Sequence, residues 1–218
     1  MRSITKLTEP ASLTQHRANR KVDYTPNYDN LPPQALADLR NSLVTEQGGI
    51  CCYCMGRIKP LGTKMKIEHW QAQAEDKFPE RQLDYSNLLG ACSGGEKHGE
   101  KTSPVTHHCD TKKRNDDFCI NPASTNSRME TRLKYLRDGT IESDDCQLND
   151  EINSILNLNY SLLRDNRAGV LKSLKKSFFK RSLGRAELQK MLSIWETPPY
   201  KPYCEVVINY LRKKLHVA

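Results

Sequence analysis

The chain has 218 residues, room for one large domain or two small ones. Hydrophobic residues make up 37%, enough for a core, and 34 Lys plus Arg stand against 26 Asp plus Glu, a net charge of +8 that favours a polyanionic partner, most often nucleic acid. The opening MRSITKLTEP has no apolar leader and no run is long enough to cross a bilayer, so secreted and membrane-spanning classes are set aside and a cytoplasmic protein is expected.

In chain order, residues 1–32 are polar and rich in turn formers and read as a loosely structured arm. Leu36, Leu39, Leu43 and Val44 recur at helical spacing between Pro33 and a Gly48-Gly49 stop. The cysteine segment ICCYCMGRI follows at once. KMKIEHW (64–70) and SNLLGAC (86–92) read as short strands joined by a polar loop. Residues 93–108 carry Gly, Ser, Pro and charge without an apolar period and read as a loop insertion. A helix can start at Cys109. Asp138-Gly139, between two β-prone runs, signals a hairpin. Beyond Asp150, Ile152, Ile155, Leu156, Leu162, Leu163, Val170, Leu171, Leu174 and Phe178 space out as one or two helices. A third helix is expected near 184–195 and a fourth from Pro202. The expected class is α+β: an N-terminal arm and helix (1–49), a mixed core (50–145) and a helical C-terminal part (146–218).

Eight cysteines without a secretory context read as thiols or metal ligands, not disulfides. Cys51 and Cys54 form a C-x-x-C pair, the span at which one tight turn presents two thiolates to a Zn²⁺. Cys92 and Cys109 complete a set of four if the sixteen residues between them loop out. His98, His107 or His108, the last first among them, could replace one ligand. Four protein ligands make such a zinc structural. Cys52 is expected to point away, and Cys119, Cys146 and Cys204 to be buried thiols. A thioredoxin-type reading lacks the βαβ frame it needs.

Between the two cysteine pairs lie Glu68-His69 at a strand end, Asn87 five residues before Cys92, and Cys109-Asp110-Thr111-Lys112-Lys113 at a helix start. Alone, His69 reads as a structural or surface residue, Asp110 as an N-cap, Asn87 as a turn residue and Lys112-Lys113-Arg114 as a solvated face. In this order and spacing they resemble the HNH (His-Me finger, ββα-metal) endonucleases. EQGGICCYC, IEHW, YSNLLGAC, HCDTKKRND, LNLNYSLLRDNR and INYLRKKL narrow the resemblance to the PtuB-like nucleases. Those proteins accompany Septu-type ATPases in bacterial anti-phage defence, some within retron systems.

The resemblance implies a zinc-braced ββα-metal finger hydrolysing phosphodiester bonds in DNA or RNA, tRNA included. It implies an ATPase partner and, in a retron setting, a reverse transcriptase with its msDNA. His69 would be the general base, and Asp110 with Glu68 the ligands of a catalytic Mg²⁺ or Mn²⁺. Asn87 would orient the histidine loop, and Lys112, Lys113 and Arg114 would meet backbone phosphates. Glu68 stands where these enzymes more often have Asp, and Asp110 where they have Asn or His. A non-catalytic, zinc-bearing nucleic-acid adaptor is the competing class. The basic helical residues Lys172, Lys175, Lys176, Lys180, Arg181 and Arg185 fit a supporting bundle, an ATPase-docking surface or a nucleic-acid track equally.

Overall fold

In the computed structural model the leucine run after Pro33 is a helix, α2 (Pro33–Glu46), with Ala35, Leu39 and Leu43 buried on one face. The structure describes residues 1–96, 102–179 and 184–217. His98, Lys180 and Arg181 lie outside these described residues. Among the described residues the fold is mixed α+β, with eight α-helices and two separate two-stranded antiparallel sheets.

The N-terminal segment is not the loose arm its composition suggests. It forms a helix, α1 (Ala11–Ala18), against α2, and its first residues are pinned by side-chain bonds. Ser3 donates from N and Oγ to the Glu130 carboxylate (2.8 and 2.6 Å), and Ile4 N donates to Pro122 O (2.9 Å). Lys6 bridges the Glu46 carboxylate and Leu88 O (2.5 and 2.8 Å). Polar residues build this segment because their partners are carboxylates and carbonyls of distant segments, which no local pattern reveals.

The two predicted strands pair. β1 (Lys66–His69) runs antiparallel to β2 (Leu88–Ala91), with Glu68 opposite Leu89 and His69 opposite Leu88. β2 is buried along its whole length, with α2 packed against it. The helix from Cys109 is one short stretch, α3 (Cys109–Lys113), ended by Arg114 at a positive φ of 52°. After α4 (Met129–Arg132) comes the hairpin foreseen at Asp138-Gly139, β3 (Lys134–Tyr135) with β4 (Ile141–Glu142). Gly139 sits at φ +84°, and a Cβ there would stand 2.0 Å from Arg164 O, so only glycine fits. The α5 helix (Cys146–Ser154) starts at an Asp145 N-cap that accepts from Leu148 N. The α6 (Ser161–Phe179), α7 (Arg185–Glu196) and α8 (Cys204–Val217) helices complete the chain, α8 packing on α6, α7 and β3.

Buried apolar side chains from Met1 to Leu211 belong to one cluster, so the N-terminal, middle and C-terminal stretches share a core. Arg167 is fully buried and ties α6 to the hairpin, donating to Gly139 O and Leu158 O (2.5 and 2.8 Å). No helix among the described residues is long and apolar enough to cross a membrane.

Candidate active site

Cys51 and Cys54 sit on a tight reversal between Ile50 and Arg57. Cys51 N donates to Gly56 O (2.8 Å), Gly56 N donates to Cys54 Sγ (3.3 Å), and Met55 takes a left-handed φ of 63°. Cys52 N donates to Gly90 O (3.0 Å), which binds this knuckle to β2. Cys92 follows β2 directly and Cys109 opens α3. The four sulfurs of Cys51, Cys54, Cys92 and Cys109 all lie within 4.8 Å of one another. Cys51–Cys109 and Cys54–Cys92 are 3.9 and 3.7 Å apart. A tetrahedral site with Zn–S bonds of about 2.3 Å has sulfurs roughly 3.8 Å apart. Donor chemistry, burial and spacing therefore fit a structural zinc held by these four residues.

The insertion leaves this cluster through a closed neck. His108 N donates to Gly94 O (3.0 Å), and Thr111 Oγ1 donates to Ser93 O (3.1 Å). A Cβ on Gly94 would stand 2.4 Å from His108 O, and its φ is +59°. The Cys92 and Cys109 sulfurs thus meet despite their separation in sequence. His108 stacks on Tyr160 and bonds Thr106 O instead of joining the sulfurs. His107 bonds the Thr102 hydroxyl (2.9 Å). Cys52 is buried outside the cluster, as expected. Of the three cysteines expected to be buried thiols only Cys204 is buried; Cys119 and Cys146 are exposed, because the segment around Cys119 and the first turn of α5 lie on the surface.

β1, α3 and the segments that carry Tyr28, Ala72 and Glu96 surround a cleft of about 340 Å³. Glu68, His69 and Asp110 line it together with Lys66 and Arg114. His69 Nε2 lies 3.0 Å from Gln82 O. A carbonyl can only accept, so Nε2 carries the proton in the neutral ring and Nδ1 keeps the free lone pair. The Tyr28 ring meets the imidazole edge-on at 4.8 Å. Burial lowers the His69 pKa; the Gln82 carbonyl and Asp110 only partly oppose this, and Lys113 adds to it. The ring is therefore a neutral base near pH 7.

Asn87 is fully buried behind the histidine. Its side chain accepts from Gln71 N (2.8 Å) and donates to Gln71 O and Arg81 O (2.9 and 3.2 Å). Trp70 N donates to Asn87 O (3.0 Å). Asn87 thus clamps the chain on both sides of the loop that carries Gln82, the hydrogen-bond partner of His69.

Glu68 is 1% exposed. Its Oε1 accepts from Tyr53 Oη (2.7 Å) and pairs with Lys113 Nζ (3.0 Å). Burial raises its pKa well above the usual carboxylate value; the adjacent Asp110 carboxyl adds to the rise, and Lys113 and Tyr53 oppose it. Asp110 stands 3.8 Å from Lys66 Nζ, which also pairs with Glu96 (2.8 Å). Two neighbouring carboxylates at the cleft are a hard-oxygen donor set suited to a divalent ion, with Asp110 the more accessible of the two.

The basic triplet divides three ways. Arg114 is exposed and lines the cleft. Lys112 is exposed but is not among the cleft residues. The expectation that Lys113 meets phosphates is overturned: it is fully buried between Glu68 and His69 O (3.3 Å). A buried carboxylate needs a partner, and Lys113 is the cation within reach. Residues missed in the sequence are Lys66, Tyr28 and Tyr53. Lys66 had a signal, since strand alternation sets it on the Glu68 face; the tyrosines, which come from distant loops, had none. No protein-family model matches the chain, and no curated protein matches it.

Proposed function

We propose that the protein is a metal-dependent endonuclease of the HNH type, its β1–β2–α3 unit acting as a zinc-braced ββα-metal finger. The carrying observation is the convergence of Glu68, His69 and Asp110 on one cleft, with the His69 tautomer fixed by Gln82 O. His69 Nδ1 takes a proton from water as the water oxygen bonds to phosphorus and the P–O3′ bond breaks. Asp110, with Glu68 beside it, would hold Mg²⁺ or Mn²⁺; when bound, such an ion neutralises charge on the phosphate and the leaving oxygen. Arg114 faces the same cleft and offers a cation to a flanking phosphate. The zinc cysteines fix the end of β2 and the start of α3, which holds the carboxylates and His69 in one arrangement.

In the biological setting that the sequence resemblance supports, this nuclease is the toxic effector of an anti-phage complex. Its partner there is a Septu-type ATPase, with a reverse transcriptase and msDNA where a retron is involved. The test is incubation of the protein, alone and with that ATPase, with plasmid DNA and with total RNA including tRNA, plus and minus Mg²⁺. Cleavage abolished by His69→Ala and leaving 5′-phosphate ends is expected. A 2′,3′-cyclic phosphate on RNA would replace water by the ribose hydroxyl as nucleophile. Salt-sensitive binding with no cleavage under any condition would leave a non-catalytic adaptor.

A further inference from the structure

Among the described residues, the candidate cleft offers a polyanion little net positive charge. Among the described residues, Glu68, Glu96 and Asp110 line it, and Lys66, one of two Lys/Arg side chains there, is already paired with Glu96. A second concavity has the opposite character. Between the β3–β4 hairpin, α6 and α8 lies a groove of about 460 Å³ that shares no lining residue with the cleft. Among the described residues, Arg137, Lys175, Lys213 and Lys214 line it, and no Asp or Glu does. None of the four pairs with a carboxylate among the described residues. Its apolar lining includes Leu171 and Val206, both buried. Tyr210 also lines it, its ring stacked on Phe178 at 6.0 Å with Lys175 Nζ 5.2 Å from its centroid.

We propose that this groove is a second nucleic-acid site, taking the phosphate backbone of a single strand on its four cations and a base against its apolar and aromatic wall. Cations with no carboxylate partner among the described residues, over an apolar floor, suit a ligand that is charged on one edge and flat and apolar on the other, which describes a nucleotide chain. An acidic protein surface would use the cations but not the floor, and would need a wider contact than one groove. The groove is also held in shape. Arg137 sits on a hairpin whose turn carbonyl, Gly139 O, is fixed by the buried Arg167, and Asn159 exchanges hydrogen bonds with Ile141 N and O (2.8 and 2.9 Å). The proposal rests on the nuclease reading only for its purpose, a grip on the strand away from the acidic cleft; binding stands apart from cleavage.

The experiment measures binding of a fluorescent 20-nucleotide strand, DNA and RNA in turn, to the full-length His69→Ala protein in magnesium-free buffer across a salt series. Lys175→Gln/Lys213→Gln/Lys214→Gln is compared with Lys21→Gln/Lys59→Gln/Lys190→Gln, which removes the same charge from exposed sites outside both concavities. The groove variant should lose at least tenfold in affinity at low salt. The slope of log K against log salt should shallow by roughly 2, at about 0.7 per lost phosphate contact. The control variant should lose less than half as much. Equal losses in the two variants, or none, would overturn the groove. Equal competition by polyaspartate and by unlabelled strand would overturn the nucleic-acid assignment in favour of an acidic protein partner. Hydrolysis of a small chromogenic phosphodiester, measured with His69 restored, separates the two readings. A groove variant that binds like the parent while the parent hydrolyses this ester sinks the groove and spares the nuclease. Weakened strand binding beside a parent that never hydrolyses does the reverse.

Discussion

Lys113→Met tests whether the buried ion pair, and not phosphate contact, is why a lysine stands at this position. Lys113 is 0% and Glu68 1% exposed, their charged groups 3.0 Å apart. Removing the ammonium leaves a carboxylate in the core with one tyrosine hydroxyl, a loss of about 3–5 kcal/mol. For a chain of 218 residues this lowers Tm by roughly 6–20 °C, at about 2–4 °C per kcal/mol. The deficit has a pH signature. Lys113 opposes the rise in the Glu68 pKa, so its loss raises that folded-state value further. A carboxyl whose folded pKa lies above the unfolded value of about 4.3 loses stability as pH rises through that window. The deficit of Lys113→Met should therefore be small near pH 4 and grow toward neutrality. Adding Glu68→Gln should recover most of it. Thermal denaturation of the parent, Lys113→Met, the double variant and Lys112→Met across pH provides the test. A Lys113→Met protein that melts no lower than Lys112→Met, or a deficit indifferent to pH, would refute the reasoning.

Metal analysis of the purified protein should find one zinc, lost in Cys51→Ser and kept in Cys52→Ser. Stripping it should unfold the middle of the chain, since structural zinc is worth about 10–16 kcal/mol in small sites. Asn87→Ala should lower kcat by roughly a hundredfold, as misplacement of a reacting group does, with KM little changed; a variant with full kcat would show that its hydrogen bonds do not position His69. The acid limb of the pH–rate profile should have its midpoint below about 6.5, the free histidine value, because burial lowers the His69 pKa; a midpoint above it would contradict the burial argument. Stability follows the same sign: the unfolded chain binds the proton first, so stability falls as pH drops below that value. Gly139→Ala should cost at least about 1–3 kcal/mol, read as a lower denaturant midpoint, because its methyl meets Arg164 O.

What was legible in the sequence was what local chemistry determines. Two Gly-bearing turns, a strand ending in Glu-His and a second that begins just after Asn87 were visible as residue types at the right spacing. So were the four cysteines, because thiolates need company and few sets of four were open. The missed features depend on partners from afar. Lys112, Lys113 and Arg114 look alike in a row, and a helix of one short turn offers no period to sort them. Only the position of Glu68, on a strand, decides that the middle one turns inward. The polar N-terminal segment misled for a similar reason, its order coming from Glu46 and Glu130. The exposure of Cys119 and Cys146 had no signal, since a lone cysteine reads as apolar by default.

The neck at Ser93–Gly95 and Thr106–His108 has a consequence for how such chains vary. Hydrogen bonds across the neck and sulfur contacts behind it already join the two sides of the insertion. The chain between them is a detour whose length costs little, since closing a longer loop adds only about 0.6 kcal/mol per doubling. The interval from Cys92 to Cys109 can thus lengthen at little cost in this architecture. Foreign sequence spliced in there should leave the sulfurs still meeting. A search pattern that fixes that interval would overlook proteins built the same way.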